Sequence, residues 1–127
     1  MSSARKKVLL VDDERDITAV TKKGLEIHGF QVTTYNDPAN ALADFKPKQN
    51  DFHVIDIRMP GMSGFDLARQ IWQQDPDALV CFLSSFEIYG EEASKVFKSL
   101  NTRCFVKKPI TPKDLAEHLN MHLTPMQ

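Results

Sequence analysis

Acidic, hydroxyl and amine side chains close a series of short apolar runs in this chain, and together they specify a chemistry. Asp12-Asp13 follow Val8-Leu9-Leu10-Val11, Asp56 follows Phe52-His53-Val54-Ile55, Ser84-Ser85 follow Val80-Cys81-Phe82-Leu83, and Lys107-Lys108-Pro109 follow Cys104-Phe105-Val106. If these runs are parallel strands of one sheet, their carboxyl ends open into a common crevice, where ligands bind in such folds. Three carboxylates within a few ångströms cannot all stay ionised without a cation, and one lysine leaves negative charge in excess. An oxygen-only set suits Mg²⁺, which takes one or two carboxylates, keeps several waters and accepts phosphate oxygens. A hydroxyl and an ammonium beside it suit the phosphate. Asp56, alone at the end of a central run, is placed to attack phosphorus as a nucleophile.

The elements needed to position these groups can be read from periodicity. The intervals from Asp13 to Asp56, Asp56 to Ser84 and Ser84 to Lys108 are 43, 28 and 24 residues, matching two strand–helix units, then one, then one. Val8 to Val11 is a continuous aliphatic run, as a strand covered on both faces should be. Ile17, Val20, Gly24 and Ile27 recur at helical steps and stop at Gly29, a C-cap. Gln31 to Tyr35 alternates polar and apolar, as an edge strand does. Asp37-Pro38 starts a second helix carrying Ala41, Leu42 and Phe45. Phe65, Ala68, Ile71 and Trp72 mark a third, ending near Asp75-Pro76. Leu79 to Leu83 is the most apolar strand. Ala93, Val96, Phe97 and Leu100 form a fourth helical stripe, and Thr111-Pro112 caps a last helix with Leu115, Ala116 and Leu119. Strands alternating with single helices imply right-handed parallel units with helices on both faces. The expected fold is a doubly wound, five-stranded α/β domain.

Placed in order, Val11-Asp12-Asp13-Glu14, Asp56-Ile57-Arg58-Met59-Pro60, Gly61-Met62-Ser63-Gly64 and Lys108-Pro109 resemble the receiver domain of two-component response regulators, over about residues 6–123. The resemblance implies the flavodoxin-like fold with strand order 2-1-3-4-5. It implies that Asp56 is the phosphoacceptor, that Asp13 holds Mg²⁺ directly and Asp12 through water, and that the Arg58 backbone carbonyl is a further ligand. Ser84 and Lys108 would contact the phosphoryl group; spacing alone leaves Lys107 open, and the following proline decides for Lys108. Ser84 and Phe105 would form the conformational switch, with Phe105 a rotating aromatic. Arg58 and Phe86 would tune the phosphoryl lifetime, and Pro109 would follow a cis bond. Ser63 stands where the family most often has Asp, a change the loop should tolerate. Ser85-Phe86 and Asn101-Thr102-Arg103 also depart from the family pattern.

The implied function is a stand-alone receiver that takes a phosphoryl group from a sensor histidine kinase or phosphotransfer protein and signals to a downstream protein. It would catalyse only its own phosphorylation and dephosphorylation, as a monomer or weak dimer. Two alternatives are a pseudo-receiver scaffold independent of phosphate and a Mg²⁺-dependent phosphohydrolase with an aspartyl nucleophile. The scaffold class usually lacks an acceptor or acid, and none is missing here. The hydrolase class needs its nucleophile at the first strand with a second acid two residues on, and here the second acid is adjacent.

Bulk properties agree. A chain of 127 residues is expected to be one domain by length, too short for an effector as well, and it could equally be a receiver excised from a larger protein. A 42% hydrophobic content supports a core, and a net charge of -1 excludes disorder. That balance gives no electrostatic excess for nucleic acid. Apolar runs are too short to enter a membrane, and no leader precedes Val8, so a cytoplasmic setting is expected. Cys81 and Cys104 are expected as buried, reduced thiols on adjacent strands. His118 and His122, four apart on the last helix, are expected on a solvated face. Met59 and Met62 should be loop packing, and Lys46, Lys48 and Lys113 ordinary solvated charges.

Overall fold

A computed structural model describes residues 5–84 and 104–123. Five strands, β1 (Lys6–Val11), β2 (Phe30–Tyr35), β3 (Phe52–Asp56), β4 (Val80–Ser84) and β5 (Cys104–Lys107), form one sheet in the order β2-β1-β3-β4-β5. Every pairing is parallel. The helices among the described residues are α1 (Arg15–Ile27), α2 (Pro38–Asp44), α3 (Gly64–Gln74) and α4 (Pro112–Leu123). The helical stripe expected at Ala93 to Leu100, together with Ser85, Phe86 and residues 101–103, lies outside the described residues.

The sheet buries both faces, which is why its central strands read as unbroken apolar runs. Val8, Leu10, Val54, Leu83 and Val106 point to one side, where Leu25 of α1 and Leu115 and Leu119 of α4 close the layer. Leu9, Val11, Ile55 and Phe82 point to the other, against Ala41 of α2 and Leu67 and Ile71 of α3. Each fully buried large aliphatic contributes roughly 1.5–3 kcal/mol. β2 alternates buried and exposed residues, as its edge position requires. α1 and α4 touch at Gly24, where any side chain would run into the Pro112 ring.

Helix ends follow the sequence signals. Asp37 caps α2 by accepting from the Ala39 amide at 2.9 Å. Gly29 follows α1 with φ of 95°, a left-handed conformation that favours glycine. Thr111 Oγ1 accepts from the Asp114 amide at 3.1 Å in the first turn of α4. Met59 and Met62 pack against the second core layer, as expected. Lys48 differs from expectation. It is exposed but has φ of 63° and pairs with the buried Asp75 at 3.2 Å.

The cysteines also depart from expectation. Cys81 and Cys104 are joined in a disulfide rather than held as thiols. Spacing put them on adjacent strands, but only the register makes them direct partners, with Cα atoms 4.5 Å apart. In-register partners point to the same face, and this separation lies within the range a disulfide spans. His118 is likewise half-buried rather than solvated, with a ring nitrogen within 4.8 Å of both sulfurs. The side chain of His122 lies outside the described residues.

Candidate functional site

The carboxyl ends of four strands build one acidic pocket. Asp12 follows β1 and is fully buried; its Oδ1 accepts from the Glu14 amide at 3.0 Å, turning the chain into α1. Asp13 beside it is half-buried. Asp56 is the last residue of β3 and only 4% exposed. Asp12, Asp13 and Asp56 each present an oxygen within 4.8 Å of the others. From beyond β5, the Lys108 ammonium lies 2.7 Å from Asp12 Oδ2, 3.4 Å from Asp56 Oδ1 and 3.8 Å from Glu14 Oε1. Lys107 is exposed, so the lysine before the proline is the one that enters. The Lys108–Pro109 bond is cis.

The remaining sequence candidates surround this cluster. Ser84 is buried at the end of β4, and its carbonyl accepts from the Lys108 amide at 2.7 Å, tying the β4 and β5 tips together. Arg58 is exposed two residues beyond Asp56. Phe105 is half-buried, with its ring 5.3 Å from Phe82 and 6.3 Å from Phe65, so it packs on the second core layer below the pocket. Phe86 falls outside the described residues.

Burial and the neighbouring Asp12 charge push the Asp56 carboxyl up to about 6, against the opposing pull of Lys108. Burial works against the Lys108 ammonium, but bonding to Asp12 and attraction to Asp56 outweigh it and raise its pKa. Even with the lysine inside, the pocket resists its last negative charge. An all-oxygen, anion-rich set of this kind fits a hard divalent cation.

A family model described as the response regulator receiver domain matches residues 8–120. The chain belongs to the response regulator receiver family. It is 30% identical over 121 residues to the response regulator SaeR of Staphylococcus aureus, covering 94% of this chain and 51% of that protein. The receiver thus spans about half the length of the curated relatives it matches. Among solved structures it is similar to the non-phosphorylated HemR receiver domain of Leptospira biflexa, with a TM-score of 0.84, 25% identity and coverage of 97% and 98%. Similarity to the chemotaxis protein CheY4 of Vibrio cholerae gives a TM-score of 0.82, 27% identity and coverage of 93% and 98%. Receiver domains generally bind Mg²⁺ at the acidic pocket and interact with histidine kinases or phosphotransfer proteins. Among the described residues, no helix is long and apolar enough to cross a membrane.

Two residues of this receiver carry positioning roles that the sequence pattern did not single out. Asn36, at the tip of β2, donates to the Asp12 carbonyl at 2.7 Å and to Thr18 Oγ1 at 2.9 Å. It pins the acidic turn to α1, and an Asn ending an edge strand is the only sequence signal for it. Gly64 starts α3 directly over Asp56, where a Cβ would collide with the Asp56 carbonyl oxygen. Its amide donates to Ile57 at 2.8 Å, closing the loop after β3. Ser63 caps α3 by accepting from the Asp66 amide at 3.1 Å, a role Ser and Asp share.

Proposed function

We propose that Asp56 accepts a phosphoryl group from a phosphohistidine of a sensor kinase or phosphotransfer protein, and that the phosphorylated receiver, residues 6–123, signals to another protein. The observation that carries this reading is the buried Asp56 carboxylate beside both an ammonium and two further carboxylates. With a pKa of about 6 it is mostly ionised at neutral pH, as a nucleophile must be. Its oxygen attacks phosphorus in line; the P–N bond breaks, the P–O bond forms, and the imidazole leaves with its electron pair. Lys108, 3.4 Å from Asp56, meets the incoming phosphoryl oxygens without crossing the pocket, and Ser84 donates to another.

Asp13 and Asp56, with the Arg58 carbonyl, would ligate Mg²⁺, and Asp12 would act through water. When bound, the ion supplies positive charge against the negative charge of the phosphoryl oxygens. Switching would run through Ser84 and Phe105, and hydrolysis would be slowed by Arg58 and Phe86.

Incubation with Mg²⁺ and acetyl phosphate followed by intact-mass measurement tests the proposal. A stable gain of one phosphoryl group, lost in Asp56→Asn, is expected. Turnover without accumulation would favour the phosphohydrolase reading, and no reaction the scaffold.

A further inference from the structure

We propose that Cys81–Cys104 is a redox-active disulfide, opened by a dithiol reductant, that clamps β4 to β5. The bond joins register partners near the start of both strands. Three residues on, β4 ends at the pocket residue Ser84; β5 ends at Lys107, with Lys108 next. Phe105 adjoins Cys104 directly. The clamp therefore holds the two strands whose far ends deliver the hydroxyl and the ammonium to the pocket.

The fold accommodates both states. Backbone pairing joins β4 and β5 from Cys81–Cys104 to Ser84–Lys107 without help from the sulfurs. Both cysteines sit in the apolar layer among Leu83, Val106, Leu115 and Leu119, where a thiol packs as a small hydrophobe. A ring nitrogen of the half-buried His118 lies within 4.8 Å of both sulfurs, and its Nε2 is itself buried, so the pair has one polar side chain beside it in the apolar layer.

In the reductive direction a thiolate of the reductant attacks one sulfur and the Cys81–Cys104 bond breaks. The displaced sulfur leaves as a thiolate, and each protein sulfur takes up one proton from solvent once it is released. The reductant's second thiolate then resolves the mixed disulfide, so two electrons and two protons pass to Cys81 and Cys104 and the reductant closes its own disulfide. The constraint on β4 and β5 is then released, so the rate of Asp56 phosphorylation, on the receiver reading above, changes with the state of the cysteines.

The test uses the whole chain equilibrated in reduced and oxidised glutathione, then in dithiothreitol, with alkylation and intact-mass readout under native conditions. Reversible gain and loss of two alkylatable thiols, with circular dichroism unchanged, is expected. A bond that survives excess dithiothreitol, or opens only as the protein unfolds, overturns the proposal. Acetyl phosphate labelling should differ at least about fivefold between the reduced and the oxidised protein, the low end of ordinary coupling between sites. Cys81→Ser/Cys104→Ser, or the double Ala variant if that fails to fold, should match the reduced rate in either buffer. Equal rates in both states overturn the clamp. Absence of labelling in every state condemns the receiver reading instead, while the thiol titration stands by itself.

Discussion

Replacing Asp56 with Asn should stabilise the metal-free protein at neutral and alkaline pH. The folded-state value of about 6 exceeds the ordinary value of 3.8, mainly through burial and the Asp12 charge. Between those two values the native state holds more protons than the unfolded chain, so stability falls as pH rises from about 4 to about 6 and stays low above. At 1.36 kcal/mol per unit, two units set the ionised group's penalty at about 3 kcal/mol, already net of the Lys108 attraction. Asn is shaped like the protonated acid and escapes that penalty. For a chain of this size each kcal/mol moves Tm by about 3–5 °C, so the variant should melt about 10 °C higher at pH 8. Scanning calorimetry in a chelator at pH 8 and pH 4 measures this. The gap should close at pH 4, where wild-type Asp56 is protonated, and adding Mg²⁺ at pH 8 should narrow it by stabilising the wild type. An Asp56→Asn protein no more stable at pH 8, or equally favoured at both pH values, would refute the charge argument.

Asn36→Ala removes the bonds to the Asp12 carbonyl and Thr18, so it should lower stability by about 1–3 kcal/mol in urea unfolding and weaken Mg²⁺ binding by calorimetry. Gly64→Ala forces the β3–α3 turn off Asp56; a loss of about 1–3 kcal/mol and slower acetyl phosphate labelling are expected. Cys104→Ser should unfold about 3 kcal/mol more easily than the oxidised wild type, given a sequence separation of 23, and like the reduced wild type. Asp13→Ala should weaken Mg²⁺ binding more than Asp12→Ala, with equal losses contradicting the direct and water-mediated assignments.

Most of this architecture was legible because the inner strands carry unbroken apolar runs, the edge strand β2 alternates, and the helices show a three-to-four period with end signals at several termini. Asp37-Pro38, Thr111-Pro112 and Gly29 marked helix ends within a residue or so, since their effect is local and needs no tertiary partner. The acidic pocket was legible for a related reason: with the second strand at the edge, as its alternation suggested and the family resemblance implied, the ends of the other four parallel strands converge. What stayed hidden depends on register and packing distance. Spacing placed Cys81 and Cys104 on neighbouring strands, yet a shift of one residue would have put them on opposite faces. The burial of His118 follows from how α4 lies on the sheet, and the role of Gly64 from a backbone approach that composition cannot express. Lys48 looked like a solvated charge because its partner Asp75 lies 27 residues away.

The position of Lys108 shows how the pocket reconciles stability with reactivity. One ammonium cannot neutralise Asp12, Asp13, Asp56 and Glu14, and it stands closest to Asp12. Asp12 is the fully buried member, its backbone held by Asn36 and one carboxylate oxygen by the Glu14 amide, so its position is the most fixed. With the lysine closest to Asp12, burial and the Asp12 charge outweigh its pull on Asp56, whose pKa rises, and, against its own burial, bonding to Asp12 raises that of Lys108. A lysine held 2.7 Å from Asp56 instead would lower the carboxylate's basicity and blunt it as a nucleophile. Set at 3.4 Å, it leaves Asp56 the more basic, which on the proposed phosphoacceptor role would keep the carboxylate nucleophilic and the ammonium within reach of the arriving phosphoryl oxygens. The strand order makes that division possible, because β3 lies between β1 and β4 and carries Asp56 to the middle of the pocket.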